Sequence, residues 1–462
     1  MMSLSQAAHA TAGTLVGPDA DFFAVSTDSR TVPKGSLFVA LRGERFDGHA
    51  FVARALETGA VGAMVDRRSR AEPGTARIEP LVTVEDTRHA LGRLAAHWRG
   101  RFSLSLIGVV GSNGKTTVKE MIAAILRETF GAQEALATEG NFNNDVGLPL
   151  TLLRLQARHR AAVIEIGMNH RGETAILAAI ARPTIGLINN AQREHQEFMH
   201  GVAEVALEHA SLITALPANG CAVLNADDAF ADSWREAAVA AGVTVRDFGL
   251  EQRAAVTGRF ELATLSSDIR LHAPEGEVRF TLPLAGLHNV RNALAAAAAA
   301  TAAGATLDAV ARALSGLRGI GGRQQRAASR AGALVIDDSY NANPESVRAA
   351  IDVLAAFAPP TVLVLGDMGE VGSQGAEFHR EVGAYARSAN LSALYGLGEL
   401  SRHAVDAFGS EAVHAGSLEE LLGLLVRHDA PGTTMLVKGS RFMRMERVVA
   451  ALSGSSAGGG GH

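Results

Sequence analysis

The residues most able to do chemistry sit in one run, Gly108–Thr117, which reads GVVGSNGKTT. It joins an apolar segment, Leu104–Val110, to a helical pattern over Thr116–Glu128. Glycines at such a junction let backbone N–H groups wrap a polyphosphate at a helix N-terminus, where the helix dipole also favours negative charge. Lys115 would then reach the terminal phosphates, and the Thr116 hydroxyl would hold Mg²⁺. The spacing departs from the usual phosphate-loop pattern, because Val109 stands five before Gly114 where a glycine is common. A bare glycine turn is the alternative, but strand, Gly-Lys-Thr and helix coincide here. The chain has only four lysines, Lys34, Lys115, Lys119 and Lys438, and its other 39 basic residues are arginine. A lysine retained in such a chain points to a site that needs a compact charge rather than a fork of donors.

Other residues could join that chemistry. Glu165 closes the apolar run AAVIEIG. A carboxylate at the carboxyl end of a parallel strand faces the ligand crevice and could complete a magnesium site; a helix-capping or solvent-facing acid is the alternative. His195 follows the strand-like Ile185–Asn189 and is again at a carboxyl edge, although a lone histidine is more often structural. His195 and His200 lack a metal-ligand helical spacing, and no HExxH pattern occurs. Two amide-rich turns, GNFNNDVG (Gly140–Gly147) and DDSYNANP (Asp337–Pro344), either serve local turn geometry or read a polar substrate. Asp247-Phe248-Gly249 and Asn225-Ala226-Asp227-Asp228 look like kinase and metal motifs but lack the accompanying residues, and read as strand-end turns.

These groups need a scaffold. Residues 1–100 alternate short apolar runs with helices such as Phe51–Thr58, and the helix His89–Arg99 with Gly100 marks a boundary. Residues 101–318 carry near-continuous apolar strands at Leu104–Val110, Ala161–Ile166, Ile185–Ile188 and Ala222–Leu224, separated by helices, which predicts a doubly wound parallel sheet. Short β segments over 251–282 and an alanine-rich helix, Val290–Ala303, complete it. Residues 319–452 form another α/β unit with strands Leu334–Ile336, Thr361–Leu365 and Thr434–Val437. Residues 453–462, rich in glycine and serine, are expected to be a disordered tail.

Composition narrows the class. At 462 residues, 47% apolar and 20% charged, the chain is multi-domain and globular. A net charge of −5 argues against nucleic acid as a partner. One cysteine, Cys221, excludes an internal disulfide framework and a cysteine-cluster zinc site. Neither a signal peptide nor a membrane-spanning run is read, so a cytoplasmic protein without stable membrane insertion is expected.

The segments GSNGKTT, GNFNNDVGLPLTLL, EIGMNHRGE, GLHNVRNALAA, GGR, DDSYNANP, LGDMGE and VKGSR together resemble the Mur ligases of peptidoglycan synthesis, over about residues 26–449. YNANP, LGDMGE and KGSR match the branch that joins D-Ala-D-Ala to a UDP-N-acetylmuramoyl-tripeptide. The resemblance implies three domains: a UDP-substrate domain, a central ATP-binding phosphate-loop domain and a C-terminal Rossmann-like domain. It implies ATP and Mg²⁺ as cofactors, an acyl-phosphate intermediate, a bacterial cytoplasmic setting and a monomer. By motif match, Gly111, Asn113, Gly114, Lys115, Thr116 and Thr117 hold ATP. Thr116 and Glu165 bind one magnesium, and His195 a second. Asn292 contacts adenine, and Arg323 and Asp338 reach ATP from the third domain. Asn143, Asn144, Asn341 and Asn343 lie near the incoming substrates, and Ser29, Arg30, Gly43 and Asp47 resemble the uridine-diphosphate region. Rival readings are a sibling ligase with another acceptor, a nucleotide-binding protein without catalysis and a phosphate-loop motor or transporter subunit.

One departure stands out. Mur ligases carry a lysine, carbamylated to help hold the second magnesium, in the helix after the His195 segment. Here that position is His209, and Ser211 replaces the usual glutamate, within VALEHASLI. A direct carboxylate is expected in its stead, with Glu194 and Glu208 as candidates.

Overall fold

The computed structural model describes residues 1–43, 46–70 and 78–454, and in them three α/β units follow one another along the chain. The first is built on five strands in the order Thr14–Val16, Leu81–Val84, Gly62–Asp66, Ser36–Val39 and Ala24–Ser26. Thr14–Val16 is the antiparallel edge and the other pairings are parallel. The helix Thr87–Arg99 then leads out, with Asp86 capping its N-terminus and Gly100 at its end.

The second sheet has six parallel strands, ordered Thr244–Phe248, Cys221–Asn225, Ile185–Ile188, Ser105–Val110, Ala161–Glu165 and Ala135–Ala137. Its inner strands are apolar except at their end residues, because both faces are covered. Leu106, Val110, Ala162 and Ile164 point into one core, and Ile107, Val109, Ala161 and Val163 into the other. Register aligns the strand ends: Glu165 lies opposite Val109, and Ile188 opposite Val110. The loops after these three strands therefore leave from one edge, the crevice where open α/β sheets bind ligands. The phosphate-loop helix, Lys115–Phe130, packs against the alanine-rich helix Leu287–Ala302, whose Ala293–Ala300 are buried. The β segments expected over 251–282 form an antiparallel sheet of Thr257–Leu262, Ser267–Ala273 and Gly276–Leu282.

The third sheet runs Gln325–Ala328, Leu334–Asp338, Thr434–Lys438, Thr361–Gly366, Ala393–Leu397 and Ala412–Ala415. The first strand is an antiparallel edge that the apolar pattern does not reveal, since it is QRAA and mostly exposed. Asp338 pairs in register with Lys438, so an acid and a base finish adjacent strands at one edge. The last helix, Glu446–Ser453, ends on a left-handed Gly454. Ser453, expected in the tail, belongs to this helix; residues 455–462 lie outside the described residues.

The cores divide unequally. Leu37, Val39, Met64 and Val82 of the first sheet, and Leu91 and Leu94 of the following helix, share one apolar cluster with a face of the second sheet. The third sheet has its own two clusters. Among the described residues, no helix is long and apolar enough to cross a membrane.

Candidate active site

The phosphate loop takes its shape from two glycines. Gly111 has φ +141° and Gly114 φ +79°, values that side chains resist. A Cβ on Gly114 would also strike the Asn292 Oδ1 atom at 2.5 Å. The loop is clamped by the segment after Ile188. Asn113 N–H donates to Asn190 Oδ1 at 2.8 Å, and Asn113 Nδ2 to Gln192 Oε1 at 2.6 Å. Asn189 Nδ2 donates to the Asn113 carbonyl at 2.8 Å and to Asn292 Oδ1 at 3.1 Å. Thr117 is buried in the first turn of the helix that follows.

Lys115 folds back along this loop. Its Nζ donates to the Gly111 carbonyl, to the Ser112 carbonyl at 3.3 Å and to Glu194 Oε2 at 3.1 Å. Glu194 is buried, and burial opposes its charge; Lys115 above all, then His209 and His195, nevertheless hold its carboxyl down to about 2. Its other oxygen takes His209 Nε2 at 3.1 Å. Glu208 proves to have another task. Its two oxygens accept the Gly172 and Thr174 N–H groups at 2.9 and 2.8 Å, so it caps the helix Glu173–Ala181 and is spent.

Glu165 is 2% exposed, which sets aside a solvent-facing acid. Its Oε1 accepts from Asn143 Nδ2 at 2.8 Å, while its Oε2 is buried with no hydrogen-bond partner among the described residues. A buried carboxylate oxygen left bare is costly unless a cation or donor completes it. That orphan, facing a cleft that also holds the Thr116 hydroxyl, fits a divalent cation with oxygen ligands. His195 sits at φ +48° with its Nδ1 2.6 Å from Glu370 Oε2, close but not aligned as a hydrogen bond. The His195 ring is the largest influence lowering the Glu370 carboxyl.

The third unit closes the site from across the cleft. Arg323 Nη2 donates to Thr116 Oγ1 at 3.0 Å while its guanidinium stacks 4.5 Å over the Tyr340 ring. Asn343 and Asn113 exchange amide hydrogen bonds at 2.9 and 3.3 Å. Lys438 Nζ donates to Asp338 Oδ2 at 2.6 Å and to the Asn341 carbonyl at 2.9 Å. Arg193, which sequence reasoning passed over, donates to Glu345 at 2.5 Å and to both oxygens of Glu381 at 2.7 and 2.9 Å.

Two cavities result, sharing Asn113, Gly114, Arg323 and Lys438 in their walls. The larger, about 750 Å³, is lined by Lys115, Thr116, Asn143, Asn144, Glu165, His195, Asn341 and Asn343, among others. The smaller, about 380 Å³, is lined by Asn113, Gly114, Thr117, His288, Asn292, Arg323 and Asp338. His288 is pushed down to about 4, chiefly by burial. Asn144 also caps the helix Gly147–Leu152, accepting from Gly147 N–H at 2.8 Å. The residues expected near a uridine diphosphate lie away from both cavities. Ser29 is buried, Arg30 pairs with Asp28 at 2.7 Å, and Gly43 N–H donates to the Phe46 carbonyl at 2.9 Å. Asp47 accepts His49 N–H at 3.0 Å and lies against Arg42. Among the described residues of the first hundred, Arg88 and His89 line the larger cavity.

Three family models match consecutive parts of the chain. They are the Mur ligase family catalytic domain over residues 22–99, the Mur ligase middle domain over 109–300, and the Mur ligase glutamate ligase domain over 322–441. The UDP-N-acetylmuramoyl-tripeptide–D-alanyl-D-alanine ligase of Escherichia coli K12 is 38% identical over 98% of both chains. A crystal structure of MurF from Acinetobacter baumannii superposes with a TM-score of 0.89 at 33% identity, covering 98% of this chain and 99% of that one. MurF from Thermotoga maritima in complex with ADP gives 0.81 at 26% identity, over 93% and 97%. With the phosphate loop, the bare carboxylate and the arginine from the third unit meeting in one cleft, the chain belongs to the Mur ligase family.

Proposed function

We infer that the chain is an ATP-dependent ligase that joins D-Ala-D-Ala to UDP-N-acetylmuramoyl-tripeptide, releasing ADP and phosphate. The observation that carries this is the convergence of Lys115, Thr116 and Glu165 with Arg323, Asp338 and Asn343 across one cleft. In this reading residues 1–100 hold the uridine diphosphate, 101–318 the ATP and 319–452 the incoming dipeptide. The smaller cavity takes the nucleoside beside Asn292, and its phosphates run along the loop toward Lys115. The setting is the bacterial cytoplasm, and the chain carries its whole site without a second copy.

The reaction must turn a carboxylate, a poor electrophile, into an acyl phosphate that an amine can attack. Two anions meet in the first step, so positive charge has to be fixed where it develops. Lys115 and the loop N–H groups supply it from one side and Arg323 from the other. A divalent cation, when bound, neutralises phosphate charge, with Thr116 and Glu165 as its ligands and His195 near a second. The acyl phosphate is open to hydrolysis, and the contacts of Arg323 and Asn343 across the cleft keep water from it. Asn143, Asn144 and Asn341 offer amide groups to the peptide ends.

The direct test is ADP release with ATP, Mg²⁺ and the UDP-muramoyl-tripeptide, with and without D-Ala-D-Ala. Release should depend on the dipeptide, and Lys115→Ala should lower kcat by about 100-fold or more. Equal release with another amine would overturn the acceptor, and nucleotide binding without release would overturn the ligase.

A further inference from the structure

The loop lysine has a partner that the reaction scheme above leaves unused. Glu194 comes from the segment after the strand Ile185–Ile188, and its side chain is 5% exposed. Its oxygens are divided: Oε2 lies 3.1 Å from Lys115 Nζ and Oε1 3.1 Å from His209 Nε2. His209 projects from the helix Val202–Thr214 and is 1% exposed. Its Nδ1 has no hydrogen-bond partner among the described residues, so the hydrogen bonding of this buried ring goes to Glu194. A carboxylate only accepts, so Nε2 carries the hydrogen and the ring is an aimed donor. The other contacts of Lys115 Nζ are two loop carbonyls, which fix its direction without matching its charge.

We propose that Glu194, oriented by His209, is a positioning residue for Lys115, setting where the ammonium stands along the phosphate loop before nucleotide arrives. Burial of Glu194 and His209, at 5% and 1% side-chain exposure, makes their arrangement stiff, because in a low-dielectric setting neither is readily left without its partner. An incoming phosphate competes with Glu194 for Lys115, so the carboxylate tunes the approach of the lysine rather than binding substrate.

The kinetic consequence rests on the ligase reading, but the resting geometry can be read in the protein alone. With four lysines in the chain, lysine labelled with ¹³C at Cε gives a spectrum that Lys115→Ala assigns by difference. Glu194→Gln should move the Lys115 resonance. His209→Ala should move it the same way, and His209→Gln, which keeps a donor, should bring it part of the way back. Glu208→Gln, at the helix cap, should leave it in place. In turnover, Glu194→Gln should lower kcat about 10-fold while KM for ATP changes less than about 3-fold. A Lys115 resonance unmoved in Glu194→Gln overturns the proposal. Should that variant not fold, an unmoved resonance in His209→Ala overturns it equally. Failure of dipeptide-dependent release in the unmodified chain would sink the ligase reading and leave the resonance test standing.

Discussion

At the scale of single residues, His288 shows how a polar group is fixed by its neighbours. Gln324 Oε1 accepts from Asn289 Nδ2 at 3.1 Å, which turns its Nε2 toward His288 Nε2 at 3.0 Å. The ring nitrogen must therefore accept, and the imidazole is neutral. Burial, the largest cause, with Lys438 and Arg291 adding to it, holds the group at about 4 against Asp338 and Asp352. The sign follows from linkage: a group with a depressed native pKa binds its proton better in the unfolded chain, so its contribution to stability is present above the unfolded value of about 6.5 and fades as pH falls toward 4. His288→Gln should remove part of the loss of thermal stability between pH 7 and pH 4.5; an unchanged pH profile would contradict the neutral assignment. The reactive residues were legible in sequence because Lys115 and Thr116 open a helix after a glycine turn and Glu165 closes a strand, where residue type and position both speak. Glu194 and Glu208 were equal candidates, because nothing in EHQEF or VALEHASLI tells that Glu194 turns toward the lysine while Glu208 is spent on backbone amides.

At the scale of elements, the phosphate loop works only if its helix starts without a side-chain cap. Gly114 holds the N-cap position in a left-handed conformation, leaving the first N–H groups of Lys115–Phe130 open toward the cleft. Gly114→Ala would combine that backbone strain with a collision against Asn292 and Asn189. The expected cost is about 1–3 kcal/mol in urea unfolding, together with weaker nucleotide binding. A variant as stable as the parent and with parent-like nucleotide affinity would refute it. The contrast with the third unit is instructive. There Asn343 caps Pro344–Ala355 through a reciprocal capping box and spends its amide on Asn113 as well. Removing it by Asn343→Ala should cost about 1 kcal/mol of unfolding free energy from the cap alone, and it should also loosen the cleft. The parallel strands were legible because buried on both faces they read as unbroken apolar runs. The edge strand Gln325–Ala328 was not, since one exposed antiparallel partner asks nothing distinctive of its sequence.

At the scale of the whole molecule, what joins the units differs in kind. The first and second share an apolar core through the helix Thr87–Arg99, whereas the third has separate cores and meets the second largely through polar groups. Polar interfaces of that sort permit relative motion. The pairings that hold them, Asn113 with Asn343 and Thr116 with Arg323, span 230 and 207 residues, and no local pattern announces them. Arg193 is a further tie between the second unit and the third. It bridges Glu345 and Glu381, lies 4.8 Å over the Phe378 ring, and is held above its usual range by Glu381 foremost. Arg348 shares Glu381 at 3.1 Å, so the acid is balanced from both sides. These groups are a quarter to a third exposed, so salt should weaken them, the Debye length shrinking from about 10 Å at 0.1 M to about 3 Å at 1 M. Arg193→Ala should therefore raise the radius of gyration of the nucleotide-free protein in X-ray scattering, and 1 M NaCl should expand the parent but not the variant. The same substitution should raise KM for ATP more than it lowers kcat, because Arg193 touches no reacting atom and acts on how often the third unit presents Arg323 to the loop. Scattering curves that coincide at low salt would show that the cleft is held by its amide pairs instead.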